Sequence, residues 1–407
     1  MLIAKEGYRD YYDPKEDPSK VIFGRGCVSR LPEELSRLGD RALLITSLTL
    51  ERTTDIVSRI RERLGEKLVG VFRESAAHTP RTVILRAAAF ARPLRINVVI
   101  SLGGGRHTDT AKALRLALWL GIEKESDFDE AYAAYKADWL ALDPTTRARP
   151  LIPQIGLPTT LISAEHTQGV GLTDEVKQTK QVFSHPALQS SVIFLDPDLS
   201  TATPSELWFS TGIKALEHAI AKLSAPDRDP VVEAVAAQSV RILGSELLRC
   251  HDDPNDLGAR GNLLIASWTC MFGGWRTLVK RMGLSHALGR QVGAVSGASH
   301  GLISGVLLPR CMEFNAPACG GAILLAAEAL GLAARGSSPE EACLQAASEI
   351  SGIVRSLGLP NRLRDIGVAK DDLARIAEKT MNDMSTATNP RKVEHAGVVL
   401  ALLERAW

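Results

Sequence analysis

Val98-Val99-Ile100-Ser101-Leu102-Gly103-Gly104-Gly105-Arg106-His107-Thr108-Asp109-Thr110-Ala111-Lys112 decides the architecture. An apolar run of strand length ends in three glycines and opens into a helix-like segment, the rhythm of a parallel βα unit. Without β-carbons, Gly103, Gly104 and Gly105 let the backbone approach a pyrophosphate closely, and the N–H groups of the following helix start offer donors aligned with its dipole. On the glycines alone, a tight strand-to-helix turn without a ligand is an equal reading. Upstream, Ala42-Leu43-Leu44-Ile45 is another run of the same kind; downstream, Ser191-Val192-Ile193-Phe194-Leu195 stops at Asp196-Pro197-Asp198. Beyond it strand-like patterns vanish, and alanine- and leucine-rich segments such as 231–240 and 322–330 carry helical periodicity. This predicts an α/β nucleotide-binding domain over 1–198, with a parallel, Rossmann-like sheet, and an all-α domain over 199–407. The aromatic- and acid-rich stretch between Ser126 and Arg149 reads as a helix bridging two βα units.

At 407 residues and 45% apolar content the chain is long enough for two real cores. Lysine plus arginine (48) nearly balance aspartate plus glutamate (47), so no global field draws nucleic acid or an anionic membrane, and charge selectivity must be local. Six cysteines without a Cys-x-x-Cys spacing are expected as reduced thiols. The start turns charged before any signal-length apolar stretch, and no run reaches bilayer length. A cytoplasmic protein is expected, with a small-molecule substrate and no nucleic-acid or membrane partner.

In Ser210-Thr211-Gly212-Ile213-Lys214-Ala215-Leu216-Glu217-His218 the lysine and histidine are four apart and share one helix face. Far downstream lie His286 and His300. Three imidazoles and a carboxylate would hold a divalent cation, but an ammonium at 214 has no lone pair to give. The pattern reads as a metal scaffold in which the protein has placed its own cation, so no metal is expected. His107, His166, His185, His251 and His395 read as surface histidines. The basic stretch 275–281 just before His286 adds positive potential, or is simply a solvated helix end.

Gly103-Gly104-Gly105 with Asp109 and Ala111-Lys112, Leu157-Pro158-Thr159-Thr160, Asp196-Pro197, Thr211-Gly212 with Ala215 and His218-Ala219, Gly283-Leu284 with His286-Ala287-Leu288, His300-Gly301 and Asn389-Pro390-Arg391 follow one another along the chain. In this order they resemble the iron-containing alcohol dehydrogenase family, over nearly the whole sequence. The resemblance implies a dehydroquinate synthase-like fold, a nicotinamide cofactor in the cleft between two domains, and a homodimer. It also implies pyrophosphate binding at Gly103 to Gly105, with Asp109 in the same motif, and Thr159 and Thr160 close to the nucleotide. The shortened loop Thr159 to Thr167 and Ala77-His78-Thr79-Pro80 are similar to the maleylacetate reductase branch, whose members also lack the metal-binding aspartate. They carry a neutral residue there, so Lys214 departs from both branches. A further family histidine is replaced by Arg290. Where NAD-preferring members have an aspartate, this chain has Ser47, with Arg52 near and Glu51 weakening its charge, which leaves NADH and NADPH both open.

The resulting expectation is a metal-independent NAD(P)H-dependent reductase acting on a carbonyl or conjugated enoyl-carbonyl of an anionic small molecule. Lys214 would stabilise the oxyanion, His218, His286 and His300 would line the site, and Arg290 would anchor the substrate. Two rivals stand beside it. One is a nicotinamide-retaining lyase or cyclase related to dehydroquinate synthase, and the other a non-catalytic nucleotide-binding homologue.

Overall fold

The computed structural model describes residues 19–137, 150–177, 179–225, 229–272 and 282–407. They cluster into two units: one runs as far as residue 194, and the other takes 195–407 together with the short segments 23–26 and 159–163.

The first unit is built on strands β1 (Lys20–Phe23), β2 (Ala42–Ile45), β3 (Leu68–Phe72), β4 (Val98–Gly103), β5 (Gln154–Pro158) and β8 (Val192–Leu195), in the order β1-β8-β5-β4-β2-β3. The β2–β3, β2–β4, β4–β5 and β5–β8 pairings are parallel. Every residue of β2, β4, β5 and β8 is buried, which is why these strands read as continuous apolar runs rather than alternating ones. From β2 the chain goes outward to β3 and then returns past β2 to β4. That reversal makes a topological switch point between β2 and β4, the place where open α/β sheets bind ligands at the carboxyl ends of their strands. The register pairs Ile45 with Ser101, so two further residues bring Ser47 level with Gly103.

Helices α1 (Leu31–Leu38), α2 (Leu48–Thr53), α3 (Ile56–Leu64), α4 (Arg81–Ala91), α5 (Gly105–Leu120) and α6 (Glu125–Ala137) complete this unit, and α6 covers the described part of the bridging stretch. An antiparallel hairpin, β6 (Gly169–Asp174) with β7 (Thr179–Ser184), was not foreseen. It explains an oddity of α5, whose apolar residues show almost no single face. Ala111 and Leu114 pack with Leu43, Ile45 and Val99 of the sheet, while Ala113 and Ala117 pack with Phe128 of α6 and Val170 and Phe183 of the hairpin. A helix buried on both sides loses its amphipathic stripe.

Of the three glycines, Gly103 carries the conformational demand. Its φ is 136°, and a β-carbon there would lie 2.3 Å from His107 Nδ1. Gly104 is extended, at φ −86° and ψ −170°, and serves as the N-cap of α5. Gly103→Ala is expected to cost about 1–3 kcal/mol of stability, read as a lower urea midpoint; an unchanged midpoint would show that the turn relaxes. His107 is buried, not a surface residue as expected. Burial, helped by Arg106, pushes it down to about 4. His166 is likewise buried and pushed down to about 3, chiefly by burial. His185 is half-buried against Trp119, and His251 and His395 are exposed as foreseen.

In the second unit the described residues are helical, from α7 (Pro197–Ser200) and α8 (Ser205–Ser224) through α9 (Pro230–Asp252), α10 (Leu257–Thr269), α11 (Gly283–Ser296), α12 (His300–Asn315), α13 (Ile323–Ala329), α14 (Pro339–Ser356) and α15 (Leu373–Met381) to α16 (Ala396–Ala406). Helix α12 lies along α8 so closely that a β-carbon on Gly301 would sit 2.3 Å from the Ser210 carbonyl oxygen. Only hydrogen fits there, which accounts for glycine beside His300. No helix among the described residues is long and apolar enough to cross a membrane.

Candidate active site

Helix α8 is buried from Trp208 almost to its end, so its polar side chains must find partners inside the unit. Lys214 donates from Nζ to Glu217 Oε2 at 2.6 Å, one turn along the same face. The lysine side chain is 11% exposed and the glutamate 1%. Ser304 of α12 donates to the same carboxylate oxygen at 2.5 Å and also bonds the main-chain carbonyl of His300 at 2.8 Å.

His286, on α11, meets this pair from the side. Its Nδ1 lies 3.0 Å from the Met282 carbonyl and 3.1 Å from Glu217 Oε1. Both neighbours are acceptors, which assigns the ring proton to Nδ1. With that hydrogen directed at the carbonyl, Glu217 Oε1 keeps a charge contact without a hydrogen bond, and His286 Nε2 is left as a buried lone pair with no partner among the described residues. The His218 ring stacks on His286, with centroids 5.3 Å apart and planes at 24°. Burial raises the Glu217 carboxyl, but His286 and Lys214 outweigh it and hold it well below the usual carboxylate range. Burial moves both histidines the other way, His218 well below its ordinary value with Lys214 and His286 adding to the effect. The site therefore sets the Glu217 carboxylate against Lys214, beside two imidazoles whose burial disfavours their protonation.

The structure thus joins Lys214, His218 and His286 and adds Glu217 and Ser304, which had been given no role. The signal for Glu217 was available: a lysine on a buried helix face needs a counter-charge, and Lys-x-x-Glu supplies one. His300 enters through its main chain, at the first residue of α12. Arg290 forks onto Asp383, with Nε 2.7 Å from Oδ2 and Nη2 on Oδ1, and Nη2 also reaches Ser385 Oγ at 2.5 Å. Its charge is already matched inside the unit. Asn389 fastens the start of α11, accepting from Leu284 N–H at 2.9 Å and donating to Asn315 Oδ1 at 2.6 Å. The basic stretch 275–281 lies outside the described residues.

A divalent cation needs several lone pairs converging on one point. Here position 214 supplies a charged ammonium, Glu217 is engaged by it, and the two imidazoles face each other in a stack. Among the described residues no three histidine, cysteine, aspartate or glutamate side chains are grouped to hold an ion. This donor set does not fit a metal.

In the first unit Ser47 caps α2, accepting from Leu50 N–H at 3.2 Å. Glu51 is held by the Arg73 fork at the end of β3, with Arg61 at 3.5 Å. The carboxylate expected to offset Arg52 is thus matched elsewhere, and Arg52 is exposed. Asp109 sits one turn into α5, its carboxyl raised by burial against the pull of Lys112 and Lys180. Lys112 is fully buried and bonds the carbonyls of Ala164 and Thr167, both at 2.6 Å, which pins the 164–169 loop to α5. Thr159 and Thr160 follow β5 and are buried in the second unit, where Thr203 donates to the Thr159 carbonyl at 2.6 Å and Thr160 Oγ1 has no hydrogen-bond partner among the described residues.

Residues 18–197 match the family Iron-containing alcohol dehydrogenase, and residues 208–407 match Fe-containing alcohol dehydrogenase family, C-terminal. The maleylacetate reductase of Sphingobium indicum is 30% identical over 97% of this chain and 96% of its own length. The lactaldehyde reductase of Escherichia coli K12 is 28% identical over 95% and 97%. The crystal structure of maleylacetate reductase from Agrobacterium tumefaciens superposes with a TM-score of 0.77 at 26% identity, covering 99% of both chains. The chain belongs to the iron-containing alcohol dehydrogenase family of oxidoreductases, and within it is similar to the maleylacetate reductases.

Proposed function

We propose that the chain is a metal-independent, NAD(P)H-dependent reductase acting on a carbonyl or conjugated enoyl-carbonyl of an anionic small molecule. The observation that carries this reading is the Lys214–Glu217 pair: it occupies the face of α8 where the family places a metal ligand, and its 2.6 Å contact fixes the lysine Nζ there. Among the described residues the one hydrogen bond of Lys214 goes to Glu217, which leaves its other two N–H groups to face a substrate oxygen. Anion preference is supported by the likeness to maleylacetate reductases, whose named substrate carries carboxylates, and not by excess charge, because Lys214 and Arg290 each already face a carboxylate.

A nicotinamide suits the first unit: Gly103 has the φ that brings backbone close, α5 opens immediately after it, and Ser47 stands at the neighbouring strand end. Gly103, Gly104, Gly105 and Ser47 would hold it, with Asp109 supporting the turn. When bound, it supplies the hydride. Serine at 47 and the exposed Arg52 accept a 2′-phosphate, so NADPH is proposed alongside NADH.

The protein's own part is electrostatic and protonic. Lys214 donates to the oxygen as negative charge develops there, and Glu217 holds the lysine Nζ in place through a 2.6 Å hydrogen bond. Neutral His286, with its proton on Nδ1, presents an acceptor at Nε2. The proton that completes the hydroxyl therefore comes from Lys214, and the Lys214 amine takes it back in the reverse direction. The test is oxidation of NADH and NADPH against keto acids, enoyl acids and aldehydes, with and without a chelator, alongside elemental analysis. Turnover insensitive to chelation, with less than stoichiometric iron or zinc, is expected. One tightly held transition-metal ion per chain would overturn the metal-independent reading, and product formation without net NAD(P)H consumption would favour the lyase.

A further inference from the structure

Away from this site, two thiols face each other in the helical unit. Cys319 lies between α12 and α13, and Cys343 lies in the first turns of α14; their sulfurs are 3.2 Å apart. That exceeds the ~2.05 Å of a disulfide but needs only a small side-chain movement to close. The two differ in access, since Cys319 is half-buried and Cys343 has no exposed surface. Cys343 also donates to the Met312 carbonyl at 3.4 Å, so the resting pair is Cys319 S–H to Cys343 sulfur, with Cys343 S–H turned to the main chain. If Cys319 ionises, the Cys343 S–H can swing onto it. That bond lowers the Cys319 thiol against the opposing effect of burial, and the Ser224 hydroxyl at the end of α8 adds to it. Cys343 shifts upward for the complementary reason.

We infer that Cys319 and Cys343 form a hydroperoxide-sensitive modification site, in which Cys319 is oxidised first and Cys343 resolves it to an intramolecular disulfide. In the first step the Cys319 thiolate attacks one oxygen of the peroxide; the O–O bond breaks, giving a sulfenic acid and hydroxide. In the second step the Cys343 sulfur attacks the Cys319 sulfur and forms the S–S bond. The S–O bond breaks, and the Cys343 proton leaves with the departing hydroxide as water. The sum is two thiols plus hydrogen peroxide giving one disulfide and two waters. Geometry selects this pair: Cys250, Cys270 and Cys311 are buried, and half-buried Cys27 points its thiol at the Ile22 carbonyl 3.6 Å away.

The experiment treats the reduced full-length chain with stoichiometric hydrogen peroxide, alkylates the remaining thiols and maps peptides without reduction. The expected result is one cross-linked peptide joining Cys319 to Cys343, lighter by two hydrogens than the sum of its parts and reverted by dithiothreitol. In Cys343→Ser the reaction stops at a Cys319 sulfenic acid, captured by dimedone. In Cys319→Ser, Cys343 stays alkylatable only after unfolding. Oxidation of Cys27 ahead of the pair, or conversion of Cys319 to sulfinic acid without the cross-link, would overturn the inference. The wild-type map decides the matter even if either serine variant fails to fold.

Discussion

Glu217→Ala is expected to remove about 3–5 kcal/mol of folding stability, because it strands Lys214 without the carboxylate that is its ion-pair partner among the described residues. It also takes the charge partner from His286 and the acceptor from Ser304. The measurement is the urea midpoint at unchanged slope. A shift worth under about 1 kcal/mol, the range of exposed pairs, would mean the ammonium reaches solvent instead. The same group sets the acid limb of stability. Its folded ionisation lies below the unfolded value of 4.5, so its contribution is present above that pH and lost as the pH falls through the folded value. His218 and His286 act earlier and in the same direction. Their folded values lie below 6.5, so the unfolded chain takes up protons that the native chain refuses, and stability declines as the pH drops through that region. Glu217→Gln should flatten the limb below 4.5 and deepen the histidine limb, because the Glu217 carboxylate raises both imidazoles.

Lys214→Ala is expected to lower kcat on the order of a hundredfold, about 3 kcal/mol, while nicotinamide affinity stays near that of the parent chain. The ammonium is proposed to act on charge that appears only as the oxygen becomes anionic, so its loss falls on turnover. Because this change also strands Glu217, the informative partner is the double variant Lys214→Ala, Glu217→Ala. It should regain stability relative to either single change, since no unpaired charge remains, but not turnover. Near-parental turnover in the folded Lys214→Ala protein would reduce Lys214 to a structural cation. Recovery of turnover in the double variant would show that stability, not chemistry, had been measured.

Local pattern and global packing contributed differently to these conclusions. The apolar run ending at Gly103, the absence of strand patterns after Leu195, and the shared helix face of Lys214 and His218 were legible in the residues, because strand length, helical period and glycine turns are properties of neighbours along the chain. The hairpin β6–β7 was not: the buried side of β6 holds only Val170 and Leu172 before it ends in Asp174, and its apolar side becomes apparent only once α5 and α6 pack onto it. Gly103, rather than Gly104, bears the strained turn, which depends on where the His107 ring comes to rest.

What the sequence by itself determined is the order of the elements and the helix face that Lys214 and His218 share. What only the tertiary structure decided is the charge state of that site. Lys214 is neutralised by Glu217, Glu217 is shared with His286 and Ser304 from two other helices, and Arg290 is held by Asp383, 93 residues away. A side chain's charge is written in its chemistry. Whether that charge is desolvated, paired or offered to a substrate depends on which distant segments close around it, because Coulomb attraction and the cost of losing water both act over space and not along the chain.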